Sequence, residues 1–172
     1  MTALLREELM ENSVLQKIRE ALPEYGLVLA TQIDPTIEPG NANIHLRLAF
    51  PTPEERAEEM KITTVAFGFN IDDGGREMEL GSTLTEYTHT LEVWTFATDP
   101  AIGRRVAHAI KHIARHGDDT IDLLDFGQKG NPQIDSLLVM KAQVQHIASN
   151  SARPWDQYLW TTSVVVMDSY YP

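Results

Sequence analysis

Between Thr64 and Ile71 the chain alternates without a break. Val65, Phe67, Phe69 and Ile71 are apolar, and Thr64, Ala66, Gly68 and Asn70 are small or polar. A period of two is the pattern of a strand with one buried face. Asp73-Gly74-Gly75 follows, and these residue types accept the positive φ values of a chain reversal. The return runs through Met78 and Leu80 and then from Tyr87 to Thr98, rich in Thr, Tyr, Trp and Phe, the residues that favour strands. It is too long for one flat strand, so Gly81-Ser82 is expected to mark a bulge or break. A hairpin arm over about residues 62–98 commits the chain to a mostly antiparallel sheet.

The cover for that sheet is expected from two helices. Leu5, Leu9, Val14, Ile18, Ala21 and Leu22 recur at helical spacing, and Pro23 ends the segment. Ser13 with Gln16 three residues on reads as a cap for a second helical start. Asp99-Pro100 opens the other helix, since Asp accepts from orphan N–H groups and Pro suits the first position. Its apolar stripe is Ile102, Val106, Ala109, Ile110 and Ile113, and Gly117 ends it. Further strands are expected at Leu27–Ile33, Ile44–Leu48, Leu137–Ile147 and Tyr158–Met167. Residues 34–41 and 118–135 read as loops, the latter with Leu123, Leu124 and Phe126 tucked in, and 51–60 as exposed helical turns. The order is α-β-β-β-β-α-β-β. The expected fold is α/β of the α+β kind, a sheet flanked by helices with a long hairpin extension, in a single domain over 1–172.

Composition narrows the function. The chain has 172 residues and no cysteine, which removes disulfides, thiol catalysis and cysteine-ligated metals. Its longest apolar runs, such as Val164–Met167, are far too short to cross a bilayer as a helix, and its first residues do not read as a secretory signal. There are 25 acidic and 14 basic residues, a formal charge of −11. Residues 1–99 hold 18 acids and 7 bases, and residues 100–172 hold 7 of each, so the excess lies wholly in the first part. A chain this acidic does not attract phosphate non-specifically.

Against that background one segment stands apart. Residues 104–116 carry Arg104, Arg105, Lys111 and Arg115 and no acid. With His108 and His112 they form a basic helix face, read as contact with an acidic surface of a neighbouring subunit, with a phosphate contact or a solvated face as the alternatives. His108, His112 and His116 lie four apart, as metal-sharing histidines do, but no His-Glu-x-x-His pattern is present and the flanking cations oppose a metal. Asp72 and Asp73 beside Gly74 lack calcium-loop spacing and read as a hairpin tip. Asp118, Asp119, Asp122 and Asp125 form an acidic loop, read as helix exit and solvation. Trp155, Tyr170 and Tyr171 are candidate interface aromatics near the C-terminal end, with core packing the alternative for Trp155. Nothing in the sequence pairs a nucleophile with a base, and no phosphate-binding glycine pattern occurs.

The last twenty residues, Arg153-Pro154-Trp155-Asp156-Gln157-Tyr158-Leu159-Trp160 through Val164-Val165-Val166-Met167-Asp168-Ser169-Tyr170-Tyr171-Pro172, resemble the end of tail terminator proteins of long-tailed, non-contractile bacteriophages, particularly those of actinobacterial hosts. Glu86-Tyr87-Thr88-His89-Thr90-Leu91-Glu92-Val93-Trp94, followed by Asp99-Pro100 and a helix with Arg104, Arg105 and His108, is similar to the middle of that family. The early Leu22-Pro23-Glu24-Tyr25-Gly26 before the first expected strand agrees. The resemblance implies a structural virion protein with no enzymatic activity, cofactor or metal. Six copies would form a ring at the head-proximal end of the tail tube, ending tube polymerisation and joining the head connector. Its partners would be further copies, the tail tube protein and the connector or stopper protein, with genomic DNA passing through the ring without specific binding and no membrane involved. It would reside in the neck of the virion tail, and in host cytoplasm during assembly. Asp72, Asp73, Arg76 and Glu77 at the hairpin tip are expected to reach a neighbouring ring or subunit. A head–tail stopper ring is the nearest alternative, and a small metal-dependent enzyme using His108, His112 and acids of 118–125 a more distant one.

Overall fold

The computed structural model describes residues 5–27, 44–45, 65–73, 85–97, 100–148 and 158–170. Helix α1 spans Arg6–Ala21 and buries Leu9, Met10, Val14, Leu15 and Ile18. Its first turn carries Glu7 and Glu8, which suit the positive end of a helix. The Glu8 carboxylate accepts the Leu5 N–H at 2.8 Å. A 3₁₀ turn over Leu22–Tyr25 continues it, closed by Gly26 at φ 69°. The expected second start at Ser13 does not exist. Ser13 lies buried within one continuous helix, where its hydroxyl donates to the Leu9 carbonyl at 2.6 Å and accepts the Leu124 N–H at 3.0 Å. A residue suited to capping here fastens the helix to a strand instead.

Helix α2 spans Pro100–Arg115, as its periodicity predicts, and turns Gly103, Val106, Ala107, Ala109, Ile110, Ile113 and Ala114 inward. Gly103 has a specific task. A Cβ there would overlap the Trp160 ring and the Ala97 methyl, so the missing side chain lets the helix settle against the sheet.

Among the described residues six strands form one sheet in the order β1-β2-β3-β6-β5-β4. They are β1 (Ile44–His45), β2 (Val65–Asp73), β3 (Thr85–Ala97), β4 (Thr120–Leu124), β5 (Gln133–Ala148) and β6 (Tyr158–Tyr170). All pairings are antiparallel except the short β1–β2 contact. The protein is therefore α+β, with its helices packed on a largely antiparallel sheet. β3 pairs with β2 on one side and with β6 along its whole length on the other, so the described strands of the expected hairpin arm are members of the main sheet. The reversal between them, residues 74–84, lies outside the described residues, as do 28–43, 46–64 and 149–157. The strand expected at Leu27–Ile33 falls there except for Leu27, which is buried and in no strand.

The expected loop over 118–135 contains a strand, β4. Gly117, Asp118 and Asp119 are all left-handed, at φ 79°, 61° and 57°, conformations that Gly accepts freely and Asp better than most residues. They turn the chain from α2 straight into β4. Only Ile121 and Leu123 of β4 are fully buried, too few alternations to stand out in the sequence.

Among the described residues the core lies between helices α1 and α2 and one sheet face. From β3 it takes Leu91, Val93 and Ala97, from β6 Trp160, Val164 and Val166, from β5 Leu137, Val139 and Ala142, and from β4 Ile121 and Leu123. The other face is more open: Ile134, Leu138 and Met140 of β5 are exposed.

Candidate subunit interface

The basic residues of α2 project from the face opposite its apolar stripe. Arg104, Arg105, His112 and Arg115 are exposed, and His108 and Lys111 are half-buried. Ala101, Arg104, Arg105, His108 and His112 line a shallow depression of about 510 Å³. Two of these cations have local partners. The Arg105 guanidinium donates to the Tyr25 carbonyl at 2.8 Å, pinning the turn after α1. Arg115 grips Asp119 through two hydrogen bonds, Nε to Oδ1 at 2.7 Å and Nη2 to Oδ2 at 3.1 Å, which holds the Asp119 carboxyl below its ordinary value. Arg104 and Lys111 have no ion pair among the described residues. Burial pushes the His108 imidazole below its usual range, and the nearby Arg104, Lys111 and His112 push it further.

The three histidines do not converge. His116 lies in the turn beyond the end of α2. Among the described residues no group of three or more His, Asp or Glu side chains is placed to hold a metal ion. The acids of the turn have structural partners: Asp119 holds Arg115, Asp122 accepts from the Gln133 amide at 3.0 Å, and Asp125 accepts the Gly127 N–H at 2.9 Å.

The other expected contact residues are spread out. Asp72 and Asp73 are still in the β2–β3 ladder, opposite Thr90 and His89, so the reversal begins beyond them. Tyr170 closes β6 opposite Thr85. Arg76, Glu77, Trp155 and Tyr171 lie outside the described residues.

Two charged anchors escaped the sequence reading. The Arg6 guanidinium meets Asp168 through Nε at 2.5 Å and Nη2 at 2.6 Å, and reaches Asp135 at 2.8 Å. Asp168 is fully buried, and its hydrogen bond is the first cause that holds Arg6 above its ordinary pKa. Both ends of the pair carried a signal. An Arg in the first turn of a helix opposes the helix dipole, and a carboxylate at a buried strand position demands a cation. The second anchor is Lys17. Its ammonium donates to the carbonyls of His116 at 2.7 Å, Thr120 at 2.6 Å and Ala114 at 3.4 Å, closing the C-terminal end of α2. Burial lowers its pKa.

No helix among the described residues is long and apolar enough to cross a membrane. A scan of family models finds no match to the chain, and a search of curated proteins likewise finds none.

Proposed function

We propose that this chain is a structural ring subunit of a bacteriophage tail, a tail terminator that ends tube polymerisation and joins the tail to the head connector. The carrying observation is the outward basic face of α2, with Arg104 and Lys111 unpaired among the described residues, on a chain of charge −11. A subunit of a cyclic assembly needs two different, complementary patches, and a basic helix with an acid-rich first half supplies that pair. The resemblance of segments 86–116 and 153–172 to tail terminators names the kind of ring. In this reading the chain is not an enzyme and needs no cofactor. Its partners are further copies of itself, the tail tube protein and the connector protein, and it resides in the virion neck. The acidity suits a lumen: repeated around a ring, it repels the DNA backbone and lets the duplex pass.

Electron microscopy of particles made without this protein tests the reading. Tails of irregular, excessive length, detached from heads, are the expected result. Tails of normal length that fail to join heads would assign it to the stopper position instead.

A further inference from the structure

The outward face of α2 is shaped as well as charged. Ala101, Arg104, Arg105, His108 and His112 enclose its depression of about 510 Å³. Residues 100–117 contain no acid. Exposed Arg104 and half-buried Lys111 make no ion pair among the described residues. The wall is therefore cationic, and the alanine and the aliphatic stems of two arginines give it an apolar lining.

The start of α1 has the opposite character. Glu7 and Glu8 are exposed and Glu11 is half-buried. Glu8 is used locally, as the acceptor of the Leu5 N–H, while Glu7 and Glu11 make no ion pair among the described residues. The carboxylates crowd one another: Glu8 and Glu7 add to the burial that raises the Glu11 pKa. Beside them Leu5 is 67% exposed, the most exposed large apolar side chain among the described residues. An apolar knob flanked by acids is the counterpart of an apolar hollow flanked by cations.

Within one copy the two surfaces cannot meet. Arg6 fastens the start of α1 to Asp168, near the end of β6. Gly103 lies against Trp160, near the start of β6. Eight residues of one strand separate these anchors, about 26 Å, more than Glu7 and Arg104 can bridge. A patch at one end of the fold with its complement at the other makes a head-to-tail contact, which forms a ring when the rotation between copies closes.

We propose that copies of this chain join head to tail, with the first turns of α1 in one copy docked on the basic face of α2 in the next. Leu5 seats in the depression, and Glu7 and Glu11 face Arg104 and Lys111. This deepens the ring reading and rests on it. It assigns the acidic half of the subunit contact to one helix end. The charges set partner choice and orientation, and Leu5 supplies apolar area removed from water.

Exchange between two charge-reversed forms of the full chain, read by light scattering, tests the proposal. One form carries Arg104→Glu and Lys111→Glu, the other Glu7→Lys and Glu11→Lys. Alone, each sets like charges against like, and self-association is expected to weaken more than about tenfold. Mixed in equal amounts, each form presents the complement of the other, and association is expected to return. A mixture that associates no better than its two components overturns the proposal, as does a natural chain that stays monomeric at every concentration up to millimolar. Disulfide trapping gives a second readout, because the chain has no cysteine of its own. When Leu5→Cys and Ala101→Cys chains are mixed and oxidised, cross-links between the two variants are expected to outnumber those within either. Cross-links at no such excess overturn the seating of Leu5. The cysteine variants reverse no charge, so they decide the contact even where charge reversal unfolds the chain. Overlong, detached tails in particles lacking this protein, together with failed exchange, would strike this contact and leave the terminator reading standing.

Discussion

Helices α1 and α2 are both sixteen residues long and both contribute to the one core, yet they place their cations in opposite ways. In α1, Arg6 reaches a fully buried carboxylate and Lys17 reaches three main-chain carbonyls. Those charges are spent within the fold. In α2, Arg104 is exposed with no ion pair among the described residues, and Arg105 and Arg115, also exposed, hold only the Tyr25 carbonyl and the surface carboxylate of Asp119. Net charge by segment does not distinguish the two uses. What distinguishes them is whether the fold supplies a buried carboxylate, as Asp168 does for Arg6.

The sharpest break of this contrast is Arg6→Ala. It strands Asp168 as a buried, unpaired carboxylate, and removing one partner of such a pair costs about 3–5 kcal/mol. Urea unfolding is expected to show that loss. Replacing both Arg6 and Asp168 with methionine should recover most of it, because the penalty belongs to the orphaned charge. Lys17→Met comes next. Its three carbonyls lose their donor, for an expected loss of about 1–3 kcal/mol in the same measurement. The paired change Arg104→Glu and Lys111→Glu on α2 is expected to leave stability within about 0.5 kcal/mol, as exposed substitutions do, while abolishing self-association in light scattering. Loss of fold in that variant would erase the distinction between the helices.

Glu11→Gln gives the smallest effect. Burial raises the Glu11 pKa, with Glu8 and Glu7 adding to it. The folded chain therefore holds this proton to higher pH than the unfolded chain, and stability from this site rises as pH falls through the raised value. The amide removes the penalty at neutral pH, so a slight rise in Tm is expected there, shrinking as the pH is lowered. A gain that instead grew in acid would contradict the assignment.

Long, regular patterns made much of the fold legible from sequence. α2, β5 and β6 all lie where their periodicity places them, because ten or more residues average out local exceptions. β4 was not legible: five residues with two inward side chains carry little period, and its pairing partner comes after an intervening turn. Ser13 misled because a hydroxyl that can cap a helix can equally bond across to a strand. The basic stripe of α2 was visible, since it requires only one helix. The Arg6–Asp168 anchor joins positions 162 residues apart; Arg6 stands out in the first turn of its helix, but Asp168 is an anomaly only once its burial is known.

The position of β6 has a kinetic consequence. It is the last described strand in chain order, yet it lies in the middle of the sheet, between β3 and β5. Until it arrives, β2 with β3 and β4 with β5 are two separate hairpin pairs with no ladder between them. Trp160, Val164 and Val166, which fill the centre of the core, arrive with it. Joining the halves requires contacts between distant parts of the chain, the kind that slow folding. During synthesis the edges of β3 and β5 that face β6 stay unpaired until this segment emerges. The molecule is therefore most prone to wrong strand pairing just before its final strand is in place.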